Sequence, residues 1–182
     1  NSQTVAWTGN LASTNNGGLT KTGAGALILS GSNNYGGATT LTDGNLVLNN
    51  ASALSAATTV ALSGNSGLAI GNGVTTGAGK TVSLNTSGAN SDGGLTAISG
   101  GTGTWAGTVT TAGGRIGYNQ SSSLLVTGSI GGSSSLIVSG WGGAGSTGVE
   151  NTSINTQYAV IVAGTSNGYT GVTQIARGVL KI

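Results

Sequence analysis

The seventeen residues Ser32–Leu48, SNNYGGATTLTDGNLVL, return without a gap 134 positions later as Ser166–Ile182, SNGYTGVTQIARGVLKI. A weaker third copy begins at Trp105. Each copy places an aromatic residue first, Gly two positions on, Gly nine on and an aliphatic residue eleven on. These are Tyr35, Gly37, Gly44 and Leu46; Trp105, Gly107, Gly114 and Ile116; and Tyr169, Gly171, Gly178 and Leu180. A unit this short cannot close a core by itself, so it is stable only where neighbouring units stack and share their buried faces.

The residues inside and between the repeats favour strands. Helix is poorly supported, because Gly costs about 1 kcal/mol per helical position relative to Ala and β-branched residues prefer strands. The expected strands are Thr4–Thr8, Ala26–Ser30, Ala38–Thr42, Asn45–Leu48, Thr81–Leu84, Leu95–Ile98, Ser123–Thr127, Ser135–Ser139, Tyr158–Ala163, Gly171–Ile175 and Gly178–Ile182. Most are bounded by Gly, Asn or Ser, residues that let the chain turn a corner. Alternation such as Leu46 in, Val47 out, Leu48 in gives each strand one buried face.

Stacked units predict an all-β, parallel β-solenoid, a single domain over residues 1–182. About seven coils of about 25 residues, spaced about 4.8 Å apart, give a rod about 35 Å long. Small Ala, Val, Leu and Ile side chains are expected to fill a narrow interior with no room for bulky ones. Disorder is the competing reading, since 37 of the 182 residues are Gly and only 4% are charged. Against it, 36% of residues are apolar and fall in regularly punctuated runs.

Composition excludes several functions. No apolar stretch reaches the 18 or so residues of a membrane helix, and the strand runs are too short and too poor in aromatics for a membrane barrel, so this segment is not expected to insert. Lys21, Lys80, Arg115, Arg177 and Lys181 are dispersed and form no basic stripe, which argues against a nucleic-acid partner. The chain lacks Cys, consistent with a protein exported unfolded, and any signal peptide is expected to be removed or to lie outside this segment.

One stretch resembles a known family. Gly18–Asn50 contains Leu19, Thr20, Lys21, Gly23, Gly25, Ser30, Gly31, Asn33, Tyr35, Gly37, Thr39, Thr40, Gly44 and Leu46 at the positions typical of the passenger-associated transport repeat, also called the autotransporter-associated β-strand repeat. Gly164–Ile182 is similar to its second half, with Thr170, Gln174 and Arg177 as departures. The resemblance implies a right-handed β-helix in a large bacterial surface or secreted protein, with a role in adhesion, in a stalk or in assisting export.

Motifs that mimic chemical sites resolve into turns. Val74–Thr81, VTTGAGKT, approximates a phosphate-binding loop, but the first Gly is missing and a strand, not a helix, is expected to follow. The same TGAG is spelled at Thr22–Gly25, so a repeated corner explains both. Gly164–Gly168 places Ser166 in a nucleophile-elbow pattern, yet the chain has no His to take its proton. Gly143, Gly145 and Gly148 form a GxGxxG string that no apolar helical pattern follows. Paired-carboxylate catalysis must draw on Asp43, Asp92 and Glu150, of which Asp43 matches Arg177 in the repeat and reads as an exposed turn position. Three carboxylates without His or Cys also make a tight metal site improbable. No catalytic, cofactor-binding or metal-binding residue is therefore assigned.

What remains is surface. Asn50, Asn85, Asn119 and Asn151 begin N-x-S/T triplets. Of Trp7, Trp105 and Trp141, Trp105 fills the aromatic slot of the repeat and is expected to cover a coil corner. Trp141 lies in the least regular stretch, Gly140–Gln157, the expected site of any protruding loop. The leading expectation is an extracellular or cell-surface rod, a fibre or stalk segment whose ends are covered by neighbouring copies or by flanking solenoid coils. The alternative is an adhesin that holds glycan or matrix through exposed Thr, Asn and Trp side chains.

Overall fold

The computed structural model describes residues 3–12, 16–55, 59–76, 79–89, 93–119, 121–140 and 159–182. Its strands are β1 (Thr4–Trp7), β2 (Leu19–Lys21), β3 (Ala26–Leu29), β4 (Thr39–Leu48), β5 (Thr59–Ile70), β6 (Thr75–Thr76), β7 (Thr81–Leu84), β8 (Leu95–Ala97) and β9 (Thr102–Trp105). There follow β10 (Thr108–Thr111), β11 (Arg115–Tyr118), β12 (Ser123–Val126), β13 (Ile130–Gly132), β14 (Leu136–Gly140), β15 (Val160–Val162), β16 (Thr173–Arg177) and β17 (Leu180–Lys181). Every pairing among the described residues is parallel.

The strands form three faces of a β-solenoid of about seven turns. Face one stacks β2, the first part of β4, the first part of β5, β7, β10 and β13. Face two stacks β1, β3, the later parts of β4 and β5, then β8, β11, β14 and β16. Because β4 and β5 run through the corner, faces one and two make a single twelve-stranded sheet. Face three is the five-stranded sheet of β6, β9, β12, β15 and β17.

Register converts the sequence into columns. On face two, Val5, Leu27, Leu46, Leu68, Leu95, Ile116, Val138 and Ile175 lie one above another. At about 4.8 Å per step, eight levels extend about 34 Å. Leu46, Leu68, Leu95, Ile116 and Val138 are fully buried, as are Val60, Val82 and Val109 on face one and Leu124 and Val160 on face three. Strands such as β4, β7, β9 and β10 thus turn alternate residues into one interior, which is why single-sided aliphatic runs suffice.

Two expectations need correction. The interior does accept bulk: Trp105, on β9, is among the largest fully buried side chains, and Tyr35 and Tyr118 are buried too. Small neighbours in the stack make the room, since Trp105 sits over Thr76 and beneath Val126. Tyr118 lies beneath Gly140, whose added methyl would meet its ring at 2.4 Å. Trp105 is accordingly a core residue within a strand, not a corner cover. The molecule also holds more strands than the sequence predicts, namely β2, β5, β6, β9, β10, β11 and β13, and Ala38–Thr42 and Asn45–Leu48 join as one strand.

Candidate functional site

Residues that mimic chemistry are placed as structural parts. Asp43 is half-buried within β4, where its Oδ1 accepts the Gly44 amide at 2.9 Å. Asp92 and Glu150 lie outside the described residues, as do Trp141, Asn151 and residues 141–157 of the expected loop. Ser166 is exposed in the turn before β16. In the mimic of a phosphate loop, Lys80 is buried, burial pushes its pKa down, and strand β7 begins at Thr81. Asn50 donates to the Ser30 carbonyl at 3.1 Å and accepts from the Ser52 amide at 2.8 Å, so its side chain is occupied by the fold. Asn119 reaches the Ala97 carbonyl at 3.4 Å, whereas Asn85 is exposed after β7.

The repeat acquires a physical meaning in its hydrogen bonds. Asn33 Oδ1 accepts from the Leu11 amide at 2.9 Å, and Asn34 donates its amide to the Leu11 carbonyl at 2.8 Å. In the second copy, Asn167 Oδ1 accepts from the Ile130 amide at 3.0 Å, and Gly168 donates to the Ile130 carbonyl at 2.8 Å. Tyr35 Oη bonds Thr39 Oγ1 at 2.6 Å, and Tyr169 makes the same bond to Thr173. Burial raises the Tyr35 pKa, partly offset by the bond to Thr39.

The glycines two positions after the aromatic let the coil approach the one before it. A methyl at Gly37 would meet the Gly18 nitrogen at 2.6 Å, at Gly107 the Lys80 carbonyl oxygen at 2.2 Å, and at Gly171 the Ser135 nitrogen at 2.3 Å. Gly44 and Gly178 both need positive φ, at 67° and 86°. In the third copy that conformation falls on Gly113 instead of Gly114. What the first two copies share is therefore a corner clamp: an Asn that caps the previous coil, an aromatic behind it and a Gly that permits contact.

The clamp is not tied to one face. After the first copy, Thr39 starts a face-one strand and Leu46 stacks on face two. After the second, Thr173 stacks on Leu136 of face two and Leu180 on Val160 of face three. The sequence equivalence of Leu46 and Leu180 is thus not an equivalence of place, whereas Ile116 does share the Leu46 column.

A second set of side chains staples the corner between faces one and two. Lys21 is buried, and its ammonium donates to the carbonyls of Thr22, Gly23 and Asp43, the last in the next coil. Ser66 donates to Leu41 O at 3.1 Å, Thr86 to Gly64 O at 2.7 Å and Thr111 to Ser134 O at 2.9 Å. Among the described residues no buried side-chain nitrogen or oxygen lacks a partner. Buried polar groups left unpaired would each cost about 1–3 kcal/mol, so these staples fix coil-to-coil alignment as well as stability.

The two ends differ from the middle. The large hydrophobic residues exposed among those described are Val5 (55%), Trp7 (46%), Val172 (70%), Ile175 (53%) and Ile182 (97%). All of them lie in the first or last coil, where the stacked columns meet solvent. Among the described residues β1 pairs only with β3, and β16 only with β14.

Searches of curated proteins and of solved structures return no match to this chain. The family model of the passenger-associated-transport-repeat matches residues 19–48 and 160–182. Those segments hold both corner clamps or the strands they introduce, together with Lys21 and its carbonyl partners. The chain is a β-solenoid that matches the passenger-associated-transport-repeat at two places.

Proposed function

We propose that this chain is a load-bearing segment of an extracellular or cell-surface fibre or stalk, whose function is length, stiffness and resistance to proteolysis, without catalysis of its own. The observation that carries this reading is the face-two column, in which eight residues stack from Val5 to Ile175. In such an array each coil is held by its neighbours, so the natural way to extend the structure is to add coils at the ends. The passenger-associated-transport-repeat supports a secreted or cell-surface location. The partners that fit are further coils, either neighbouring copies end to end or flanking solenoid sequence.

Side-chain chemistry supports the mechanical reading. Ser166 occupies the repeat position of Ser32, and the Asp43 carboxylate caps its neighbour's amide. Electron microscopy of purified protein at rising concentration tests the proposal: rods about 35 Å long that lengthen by end-to-end addition support it. Compact particles of any length distribution refute it.

A further inference from the structure

Asn72–Gly73 and Asn167–Gly168 are two of the three Asn-Gly dipeptides in the chain. Both are built into the same hydrogen-bonded ring across neighbouring coils. Asn72 Oδ1 accepts from the Thr102 amide at 3.2 Å, and the Gly73 amide donates to the Thr102 carbonyl at 2.9 Å. Asn167 Oδ1 accepts from the Ile130 amide at 3.0 Å, and the Gly168 amide donates to the Ile130 carbonyl at 2.8 Å. One side chain and the peptide after it thus grip both backbone groups of a single residue in another coil. That residue opens a strand each time, Thr102 at the start of β9 and Ile130 at the start of β13. The Asn72 ring lies outside the segments that match the repeat and reaches forward along the chain, so the device belongs to the solenoid and not only to the repeat.

Asn followed by Gly carries a specific chemical liability. The Gly nitrogen, with no Cβ on its own residue to shield it, can attack Cγ of the Asn side chain. A bond forms between that nitrogen and Cγ, the nitrogen gives up its proton, the bond from Cγ to Nδ2 breaks and ammonia leaves. Water then opens the cyclic imide at either carbonyl, giving aspartate or, with an extra methylene in the main chain, isoaspartate. The hydrogen-bonded ring occupies the attacking nitrogen, because its proton is held on a carbonyl of the adjacent coil and turning the peptide towards Cγ breaks that bond. At Asn167 the leaving group is held as well, since Nδ2 donates to the Gly164 carbonyl at 2.8 Å. The first copy of the repeat avoids the liability in another way: Asn33 is buried and is followed by Asn34, whose side chain crowds the attack.

We propose that Asn72 and Asn167 are gated self-modification sites, at which the closed ring suppresses deamidation, opening of the coil releases it, and the product prevents the ring from closing again. Aspartate at position 167 sets a carboxylate oxygen against the Gly164 carbonyl, where Nδ2 had donated. The added methylene of isoaspartate moves the Gly73 or Gly168 amide off its carbonyl partner. A transient loosening at the start of β9 or β13 is thereby made permanent and recorded in the covalent structure.

The test incubates the full chain in mildly alkaline buffer, folded and in unfolding urea, and follows deamidation at each site by peptide mass spectrometry with isoaspartate quantified. Both sites react at least about tenfold more slowly in the folded protein than in the unfolded chain, as expected when reaction requires local opening. Gly168→Asn copies the order of Asn33 and Asn34, and an added Cβ there meets nothing within 4 Å. In the unfolded chain this variant reacts several-fold more slowly at Asn167 and at the parent rate at Asn72. A folded rate within a factor of about ten of the unfolded one overturns the gating. So does a faster reaction in the folded protein, as would follow if the Thr102 and Ile130 amides acted on Oδ1 as oxyanion donors. Absence of isoaspartate at both sites in the unfolded chain, or an undiminished rate at Asn167 in Gly168→Asn, overturns the chemistry itself.

Discussion

The central core column makes a quantitative demand. Leu68 is fully buried, pairs through β5 with Leu46 below and Leu95 above, and donates its amide to Gly94 O at 2.7 Å. Replacing a buried Leu by Ala costs about 2.7–5.0 kcal/mol, the higher values belonging to sites that cannot collapse into the cavity. Strands pinned on both sides by backbone hydrogen bonds have little freedom to move inward, so Leu68→Ala should cost about 4 kcal/mol. Ile175, in the same column but 53% exposed at the end, leaves no sealed cavity when trimmed. Full burial of such a side chain is worth about 1.5–3 kcal/mol, so losing about half of that predicts about 1 kcal/mol for Ile175→Ala. Urea unfolding followed by circular dichroism, with the slope checked for constancy, measures both. Equal losses at the two positions, or a loss under about 1 kcal/mol at Leu68, would falsify the shared-column account.

Other perturbations test the corners and the core. Lys21→Met should destabilise by about 2 kcal/mol, since it strips the Thr22, Gly23 and Asp43 carbonyls of their common donor, and the loss should show as faster exchange around β2 and β4. Gly128→Ala, whose methyl would lie 1.9 Å from the Gly107 oxygen, should lower the urea midpoint sharply, whereas Gly131→Ala, with nothing within 4 Å and no positive φ, should leave it within about 0.5 kcal/mol of the parent. In alkali, Tyr35 and Tyr118, whose pKa values burial raises above the ordinary 10.0, give stability that is complete below pH 10 and lost as pH climbs through their folded values. Lys80 acts in the opposite sense, because its lowered pKa means that the unfolded chain binds the extra proton and stability rises with pH until the ordinary 10.5 is passed. Urea midpoints from pH 7 to 11 should therefore fall less steeply above pH 10 in the doubly substituted Tyr35→Phe, Tyr118→Phe protein, and should lose their rise below it in Lys80→Met.

The parallel stack was legible in the residues because the repeat and the aliphatic runs both encode stacking. β7 spans the expected Thr81–Leu84, and β3, β8 and β12 each end one residue sooner than expected. β5 was hidden because its sequence, TVALSGNSGLAI, carries a Ser-Gly-Asn-Ser-Gly interior that reads as a break. In a solenoid the chain can turn there without leaving the ladder: Gly64 takes φ 62° while Asn65, Ser66 and Gly67 pair with Asp43, Gly44 and Asn45. Short polar strands such as TGTW and TVTT gave no periodic signal, since stacking on both sides supplies what propensity lacks. The motif exposed the positions of Asn33, Tyr35 and Lys21 but not their duties, which depend on residues about twenty positions away in the adjoining coils. The displacement of the second clamp by one face was likewise invisible, because a local pattern records the corner and not the number of residues already wound beneath it.

The parallel ladders also determine how the molecule would meet force. Their hydrogen bonds point from one coil to the next, so tension spread evenly over both end surfaces would load all the bonds of a junction together. Tension drawn through the two chain termini would instead strain the outermost strand first and unzip it a few bonds at a time. The same material would then be strong or weak according to where it is gripped, and a segment seated between further coils would be gripped in the stronger way.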